Sequence, residues 1–351
     1  MKKVLVTGVL GQDGANMAEL LLSQAEPIEV YGMMRRSANP NFVNTTNFKD
    51  HPNFKFVYGD LSDDVSIDML VKDIQPDYFI NFAANSFVGC SWDMPLQVMD
   101  TNAIGVLRCL EAIRKFKIDC RFYSAGSSEE WGDVDYAPQD IKHPIKPRSP
   151  YGASKAAARH LVKVYRESHG IYAVHGILFN HEGTKRGKEF VTRKITKGVA
   201  RIKAEVNAHR ESGHQRGIRA LELGNLDAKR DWSDSEDFVE GVWLMLNQDT
   251  PKDYILSSTE THSIREFIEL AFEAAGFQGT EWRGNGLEEE YGFTVGGQWT
   301  ALVKINPKFF RPAEVDLLLG DSNPIREELG WNPKVSFDKL VHKMVMFDLD
   351  G

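Results

Sequence analysis

Tyr151 and Lys155 stand four residues apart in Tyr151-Gly152-Ala153-Ser154-Lys155, a spacing that puts both side chains on one face of a helix. A neighbouring ammonium favours a phenolate and lowers a tyrosine from its usual pKa of about 10. Such a tyrosine can take the proton of a substrate hydroxyl as hydride leaves the carbon that bears it. Tyr-x-x-x-Lys alone is common on ordinary exposed helices. Here Pro150 precedes it, which suits a helix start, and Ser124-Ala125-Gly126-Ser127-Ser128-Glu129-Glu130-Trp131-Gly132 lies upstream. In that run Ser127 can donate a hydrogen bond to a substrate oxygen. Glu129, once desolvated, is a candidate base for a carbon acid or an acid for a leaving hydroxyl. Ser128 and Glu130 read instead as helix-capping residues.

A departing hydride needs an acceptor, and the N-terminus offers a seat for one. Thr7-Gly8-Val9-Leu10-Gly11-Gln12-Asp13-Gly14 follows the apolar run Val4-Leu5-Val6. Gly8, Gly11 and Gly14, placed between a strand and a helix that opens at Gln12 and Asp13, let a backbone approach a pyrophosphate at a helix N-terminus. After the second strand comes Met34-Arg35-Arg36-Ser37, with no acid for a free ribose 2′-hydroxyl. Guanidinium forks suit a 2′-phosphate, so NADP is expected rather than NAD. Asp60-Leu61, after the third strand, could meet the adenine amino group, although Gly-Asp is also ordinary turn chemistry. Ala83, at the end of the fourth strand, with Ala84 and Ser86 after it, completes this candidate cofactor set.

These residues need a scaffold that brings strand ends together. Apolar runs at Val4–Val6, Ile28–Met34, Phe54–Tyr58, Tyr78–Ala83, Cys120–Ser124 and Tyr172–Phe179 read as strands. Gln12–Gln24, Pro95–Phe116 and Tyr151–Ser168 read as helices between them. The alternation predicts an α/β fold, a doubly wound parallel Rossmann-type sheet whose ligands gather beyond the carboxyl ends of its strands. Residues 1–180 form this expected dinucleotide-binding domain. Residues 181–351 form an expected smaller, mostly helical C-terminal substrate lobe, with segments crossing back to the sheet. Within it Lys188–Ala204, Asp234–Leu246 and Ser263–Ala275 read as helices, and Glu205–Arg219 and Glu281–Gly297 as loops.

The 351 residues are 42% hydrophobic and 26% charged, ordinary for a globular protein, with a net charge of -8. That balance gives no basic field for nucleic acid or an acidic membrane surface. The three cysteines, Cys90, Cys109 and Cys120, have no metal-binding spacing and read as reduced thiols. Val4–Val6 is too short for a signal peptide or a span, so a cytoplasmic location is expected.

Longer strings carry a resemblance. Leu178-Phe179-Asn180-His181-Glu182, Phe190-Val191-Thr192-Arg193-Lys194-Ile195, Leu223-Gly224-Asn225-Leu226-Asp227-Ala228-Lys229-Arg230-Asp231-Trp232 and Phe310 to Asp321 resemble the GDP-mannose 4,6-dehydratases of the extended short-chain dehydrogenase/reductase superfamily. The resemblance implies that Tyr151 and Lys155 are the base and its supporting lysine, and Glu129 the second acid/base. Ser127 takes the place of the family's usual threonine. It implies NADP contacts at Arg35, Arg36, Asp60, Leu61, His181 and Arg186. It implies sugar-nucleotide contacts at Asn180, Lys194, Arg230, Arg311 and Glu314, beside Ser86, Ser127 and Glu129. The implied reaction oxidises C4, eliminates water across C5 and C6, and returns hydride to C6. The chain departs from the family at Asn85-Ser86-Phe87, Gln97, Ala38–Lys49, Glu205–Arg219 and Glu288–Thr300. The Ala38–Lys49 loop bears on whether the implied homo-oligomer is a dimer or a tetramer. Two alternatives stand: a dehydratase of another GDP-sugar such as a GDP-heptose, or an NADP-dependent sugar-nucleotide epimerase or oxidoreductase, for which Glu129 is dispensable.

Overall fold

Val4, Leu5 and Val6 are all fully buried, which successive strand residues achieve only where both faces of a sheet are covered. The computed structural model describes residues 1–212, 218–295, 297–310, 315 and 317–351. The chain divides into two units. The first comprises Met1–His181, Asp231–Glu260 and Leu318–Lys334. The second comprises Glu182–Arg230, Thr261–Leu317 and Val335–Gly351.

The first unit is built on strands β1 (Lys2–Thr7), β2 (Ile28–Met34), β3 (Phe54–Tyr58), β4 (Tyr78–Asn81), β5 (Arg121–Ala125) and β6 (Ala173–Leu178). A seventh strand, Ile255–Leu256, comes from far downstream and pairs with β6. The order is Ile255–Leu256, β6, β5, β4, β1, β2, β3, parallel throughout. Strand order reverses beside β1, which has β4 on one side and β2 on the other, and this is where doubly wound folds hold ligands. Its helices up to β6 are α1 (Gln12–Leu22), α2 (Asp64–Ile74), α3 (Pro95–Met99), α4 (Gly105–Phe116) and α5 (Pro150–His169), and Ser235–Leu246 and Asn323–Leu329 join it from downstream. The helix expected over 95–116 contains one wide π turn at Asp100–Ile104.

The period-two alternation of β1 sorts the core. Val4 and Val6 pack with Met17 and Leu21 of α1 and with Phe238 and Val242 of helix Ser235–Leu246. Leu5 faces the other way, with Ile67 and Val71 of α2, Leu110 and Ile113 of α4 and Val162 of α5. Full burial of such side chains contributes roughly 1.5–3 kcal/mol each, so the site rests on a rigid base.

In the second unit, helices Val191–Ser212, Ile264–Ala274 and Phe337–Asp350 accompany a four-stranded sheet ordered Thr280–Arg283, Glu290–Val295, Gln298–Ile305, Leu221–Leu223. Two expectations are corrected here. The stretch from Glu205 begins as helix, not loop: Val206 is buried and Arg201 pairs with Glu205 at 2.6 Å one turn apart. Residues 213–217 of that stretch lie outside the described residues. Glu281–Gly297 is also not an irregular loop throughout: Thr280–Arg283 and Glu290–Val295 are strands held by cross-strand pairs. Trp282 opposes Tyr291 with rings 4.7 Å apart, and Glu290 pairs with Lys304 at 2.7 Å. The acids of this stretch read as loop only while their strand partners were unknown.

Candidate active site

β1 delivers the chain to Gly8, whose φ of +68° is the left-handed region that favours glycine. A Cβ there would lie 2.9 Å from the Ala83 nitrogen. One turn later a Cβ on Gly14 would lie 2.4 Å from the Gly8 carbonyl oxygen. The bend therefore closes only without side chains. It is fastened by Gly11 N–H donating to Gly8 O at 2.8 Å. Gly11 is the N-cap of α1 and brings no capping side chain. The first amides of α1 are thus left to a ligand, in the geometry that suits phosphate. Gln12 and Asp13 turn towards His181: Gln12 Nε2 donates to the His181 carbonyl at 3.0 Å, and Asp13 lies 3.1 Å from His181 Nε2. His181 also stacks on Phe238.

Strand ends surround this bend. Arg35, Arg36 and Ser37 follow β2 and are all exposed. Leu61 is buried after β3, and one oxygen of Asp60 accepts from the amide and hydroxyl of Ser62 at 2.9 and 2.8 Å. After β4, Thr7 Oγ1 donates to Asn81 Oδ1 at 2.6 Å and accepts from Ala83 N–H at 3.0 Å. That pair fixes the Ala83-Ala84 segment beside Gly8, while Ser86 is exposed.

The second half of the site leaves β5. Ser127 caps a short turn, Ser128–Glu130, and its hydroxyl oxygen accepts from Glu129 N–H at 3.3 Å. Its own O–H proton is not committed by that bond. The expected capping role of Glu130 is present: its carboxylate accepts from Ser127 N–H at 2.9 Å. Glu129 is half-buried, and its backbone sits against α5, where a Cβ on Gly152 would lie 2.4 Å from the Glu129 carbonyl oxygen.

α5 starts where its sequence requires. Ser149 is the N-cap and accepts from Gly152 N–H at 3.0 Å, and Pro150 occupies the first turn. Tyr151 and Lys155 are both buried, and Lys155 Nζ lies 5.8 Å from the Tyr151 ring centre. Lys155 Nζ donates to the Ala125 carbonyl at the end of β5, 2.6 Å away. Burial pushes the Lys155 ammonium down to about 8, against the opposing fields of Glu130 and Asp13.

Asn102 was not singled out from the sequence, and the structure gives it a place. It is buried in the π turn, accepts from Asn85 N–H at 2.8 Å, and donates both to Asn85 O and to Ser154 Oγ. Ser154 in turn donates to Tyr151 O at 2.7 Å. Asn102 thus ties the segment after β4 to the first turn of α5. Its signal in sequence was faint, an Asn inside an apolar helix pattern, where an amide is costly unless paired.

The first unit therefore brings together the Gly8–Gly14 bend, the Ala83-Ala84 segment, Ser127, Glu129, Tyr151 and Lys155. Asn180 belongs to it as well, with a buried Oδ1 that has no hydrogen-bond partner among the described residues. Arg186, Lys194 and Arg230 belong to the second unit. There Arg186 lies 3.0 Å from Glu182 and stacks on Phe190, and Arg230 is buried. Lys194 donates to Glu222 O at 2.7 Å over the ring of Phe309, and burial lowers its pKa. Arg311 and Glu314 lie outside the described residues. Cys90, Cys109 and Cys120 are unbridged. Among the described residues no helix is long and apolar enough to cross a membrane.

Known proteins share this architecture. The family model described as GDP-mannose 4,6 dehydratase matches residues 5–344. A GDP-mannose 4,6 dehydratase of Drosophila melanogaster is 41% identical over 360 residues, covering 99% of this chain and 86% of that protein. Two solved structures share the fold. A dTDP-glucose 4,6-dehydratase of Streptomyces venezuelae with NAD bound has a TM-score of 0.79 at 21% identity, covering 99% of this chain and 97% of its own. RMD of Pseudomonas aeruginosa complexed with NADPH has a TM-score of 0.76 at 20% identity, covering 100% and 99%.

Proposed function

The chain belongs to the GDP-mannose 4,6-dehydratase family and is an enzyme, and on that premise we propose that it dehydrates GDP-mannose to GDP-4-keto-6-deoxymannose with NADP as a recycled cofactor. The observation that carries the reading is Glu129 set against the first turn of α5, beside Tyr151 and Lys155. An alcohol dehydrogenase or an epimerase needs the tyrosine and lysine; elimination of water also needs a second acid/base.

A nicotinamide cofactor fits the Gly8–Gly14 cradle, which side chains at either glycine would fill. Arg35 and Arg36, exposed at the end of β2 with no acid beside them in sequence, support NADP over NAD. When bound, the cofactor supplies the hydride acceptor at C4 and the hydride donor at C6. Tyr151 takes the C4 hydroxyl proton, assisted by the Lys155 ammonium, and Ser127 donates to the same oxygen. Once C4 is a ketone its neighbour C5–H is acidic. Glu129 removes that proton and protonates the departing C6 hydroxyl, so that one carboxyl group serves both halves of the elimination. Asn180, Lys194, Arg230, Arg311 and Glu314 are the proposed ligands of the sugar nucleotide. Cations suit its two phosphates and a carboxylate the amino edge of guanine. Residues 181–351 are read accordingly as the substrate lobe, with segments returning to the sheet. Exposed Leu96, Met99 and Ile104 support self-association, as a homodimer or homotetramer; the proposed location is the cytoplasm.

The test is direct. Purified protein with NADP converts GDP-mannose to a 4-keto product without added hydride acceptor, read by mass spectrometry. Glu129→Gln retains NADP binding and loses dehydration. No turnover of GDP-mannose alongside turnover of another GDP-sugar overturns the substrate assignment, and full activity of Glu129→Gln overturns the role of Glu129.

A further inference from the structure

Glu130 is fully buried, although a capping box needs only a hydrogen-bond acceptor, which a neutral glutamine also supplies. A carboxylate removed from water costs several kcal/mol unless it is paired, and this one is paired at length. His175 of β6, also fully buried, places Nε2 2.9 Å from one Glu130 oxygen. Arg159 of α5 lies 3.9 Å from the other. The space for this pair exists because residue 126 is glycine: a Cβ there would lie 2.3 Å from His175 Nε2 and 2.8 Å from Glu130 Oε1. On the far side of His175, its backbone N–H donates to Asp253 at 2.8 Å, and Asp253 is bridged by Arg166 at 2.7 and 3.1 Å. Carboxylates thus alternate with basic groups from β6 to α5.

The arrangement has two outputs towards the reaction centre. The first is mechanical: Glu130 accepts from Ser127 N–H and so holds the turn that carries Ser127 and Glu129. The second is electrostatic. Lys155 and Arg159 are four residues apart on α5, and two cations so placed on one buried face repel. Lys155 Nζ donates to the Ala125 carbonyl at 2.6 Å, just ahead of the Ser127 turn that Glu130 closes, and the fields of Glu130 and Asp13 there favour the ammonium. Asp13 is paired with His181. Glu130 itself stays ionised: burial, which raises its pKa, is outweighed by His175, Arg159 and the Ser127 amide.

We propose that Glu130, set by His175 and Arg159, is a positioning residue that holds the Ser127–Glu129 turn and serves as the buried counter-charge of the Lys155 ammonium. The proposal rests on the reading of Tyr151 and Lys155 as the proton-transfer pair, but its test does not require turnover. Glu130→Gln keeps the one oxygen that serves Ser127 N–H and His175, removes the charge, and turns an amide NH2 towards Arg159. Competitive acetylation across a pH series, with the Lys155 peptide quantified by mass spectrometry, reads the titration of that one amine. The expected midpoint in Glu130→Gln lies about one unit below that of the unaltered protein, a roughly tenfold loss of ammonium above it. The alkaline limb of kcat/KM on GDP-mannose moves to lower pH by the same amount. If Glu130→Gln does not fold, the double change Glu130→Gln with His175→Gln, which removes the buried carboxylate together with its fully buried partner and leaves Arg159 its bond to the Ile141 carbonyl, is read in the same way. An unmoved Lys155 midpoint overturns the proposal, whatever the loss of activity. Absence of GDP-mannose turnover in the unaltered protein, with the midpoint moved as expected, upholds it and overturns the substrate assignment alone.

Discussion

Replacing Lys155 by methionine removes a buried charge while keeping most of the side-chain volume, and the consequence can be worked from its titration. Burial lowers the amine from 10.5 to about 8, a difference of about 2.5 units or roughly 3.4 kcal/mol at 1.36 kcal/mol per unit. The sign follows from proton binding. Below pH 8 the amine is charged in both the folded and unfolded chain, and the folded state bears the whole penalty. Between about 8 and 10.5 the folded chain has released the proton and the unfolded chain has not, so the penalty disappears as pH rises. The stability difference between the unaltered protein and Lys155→Met should therefore change by about 2 kcal/mol from pH 7 to pH 9.5, and by about 3 kcal/mol at pH 10.5, in favour of the unaltered protein. The comparison cancels every titrating group whose field does not reach Lys155. It also cancels the lost hydrogen bond to Ala125, since that contribution is the same at each pH to first order. Denaturant unfolding followed by circular dichroism at matched pH measures it, with equal denaturant slopes as the check. Catalysis should be lost in the same variant at all pH values. A stability difference that stays flat from pH 7 to 10.5 would refute the view that Lys155 is held as a costly buried ammonium.

Three further outcomes are expected. Gly14→Ala forces a Cβ to within 2.4 Å of the Gly8 carbonyl oxygen, backbone that cannot swing aside, so cofactor affinity measured by calorimetry should fall at least about tenfold. Arg35→Ala with Arg36→Ala changes only exposed side chains, so the melting temperature should hold while NADP weakens by roughly ten- to a hundredfold and NAD hardly changes; equal loss of both cofactors would remove the 2′-phosphate assignment. Asn102→Ala leaves Asn85 N–H without its acceptor and Ser154 Oγ without its donor. It should cost about 1–3 kcal/mol in unfolding free energy and lower kcat more than it raises KM, because the displaced element carries Tyr151.

The parallel sheet was legible because its strands are short apolar runs buried on both faces and separated by helices of ordinary length. Ile28–Met34 and Phe54–Tyr58 fall where their residues put them. The glycine bend was legible because its demand for missing side chains is written locally. Less local features were not. Ile255–Leu256 is a strand only by virtue of β6 beside it. Thr280–Arg283, Glu290–Val295 and Gln298–Ile305 pair into a sheet through contacts such as Trp282 with Tyr291, which composition does not announce. The helix from Val191 outruns its expected end because Val206 finds a buried surface.

The same division runs through the reaction centre. The identities and spacing of Gly8, Gly11 and Gly14, of Tyr151 and Lys155, and of Ser127 and Glu129 were enough to suggest hydride chemistry on a hydroxyl group, because caps, turns and i, i+4 faces are short-range geometry. Whether neighbouring Glu130 is a solvated cap or a buried counter-charge was beyond such reasoning. Its partners, His175 and Arg159, lie 45 residues away on β6 and on the far end of a helix turn from Lys155. An electrostatic field falls with distance through space and rises as water is excluded. Neither quantity exists for a chain until its strands are side by side.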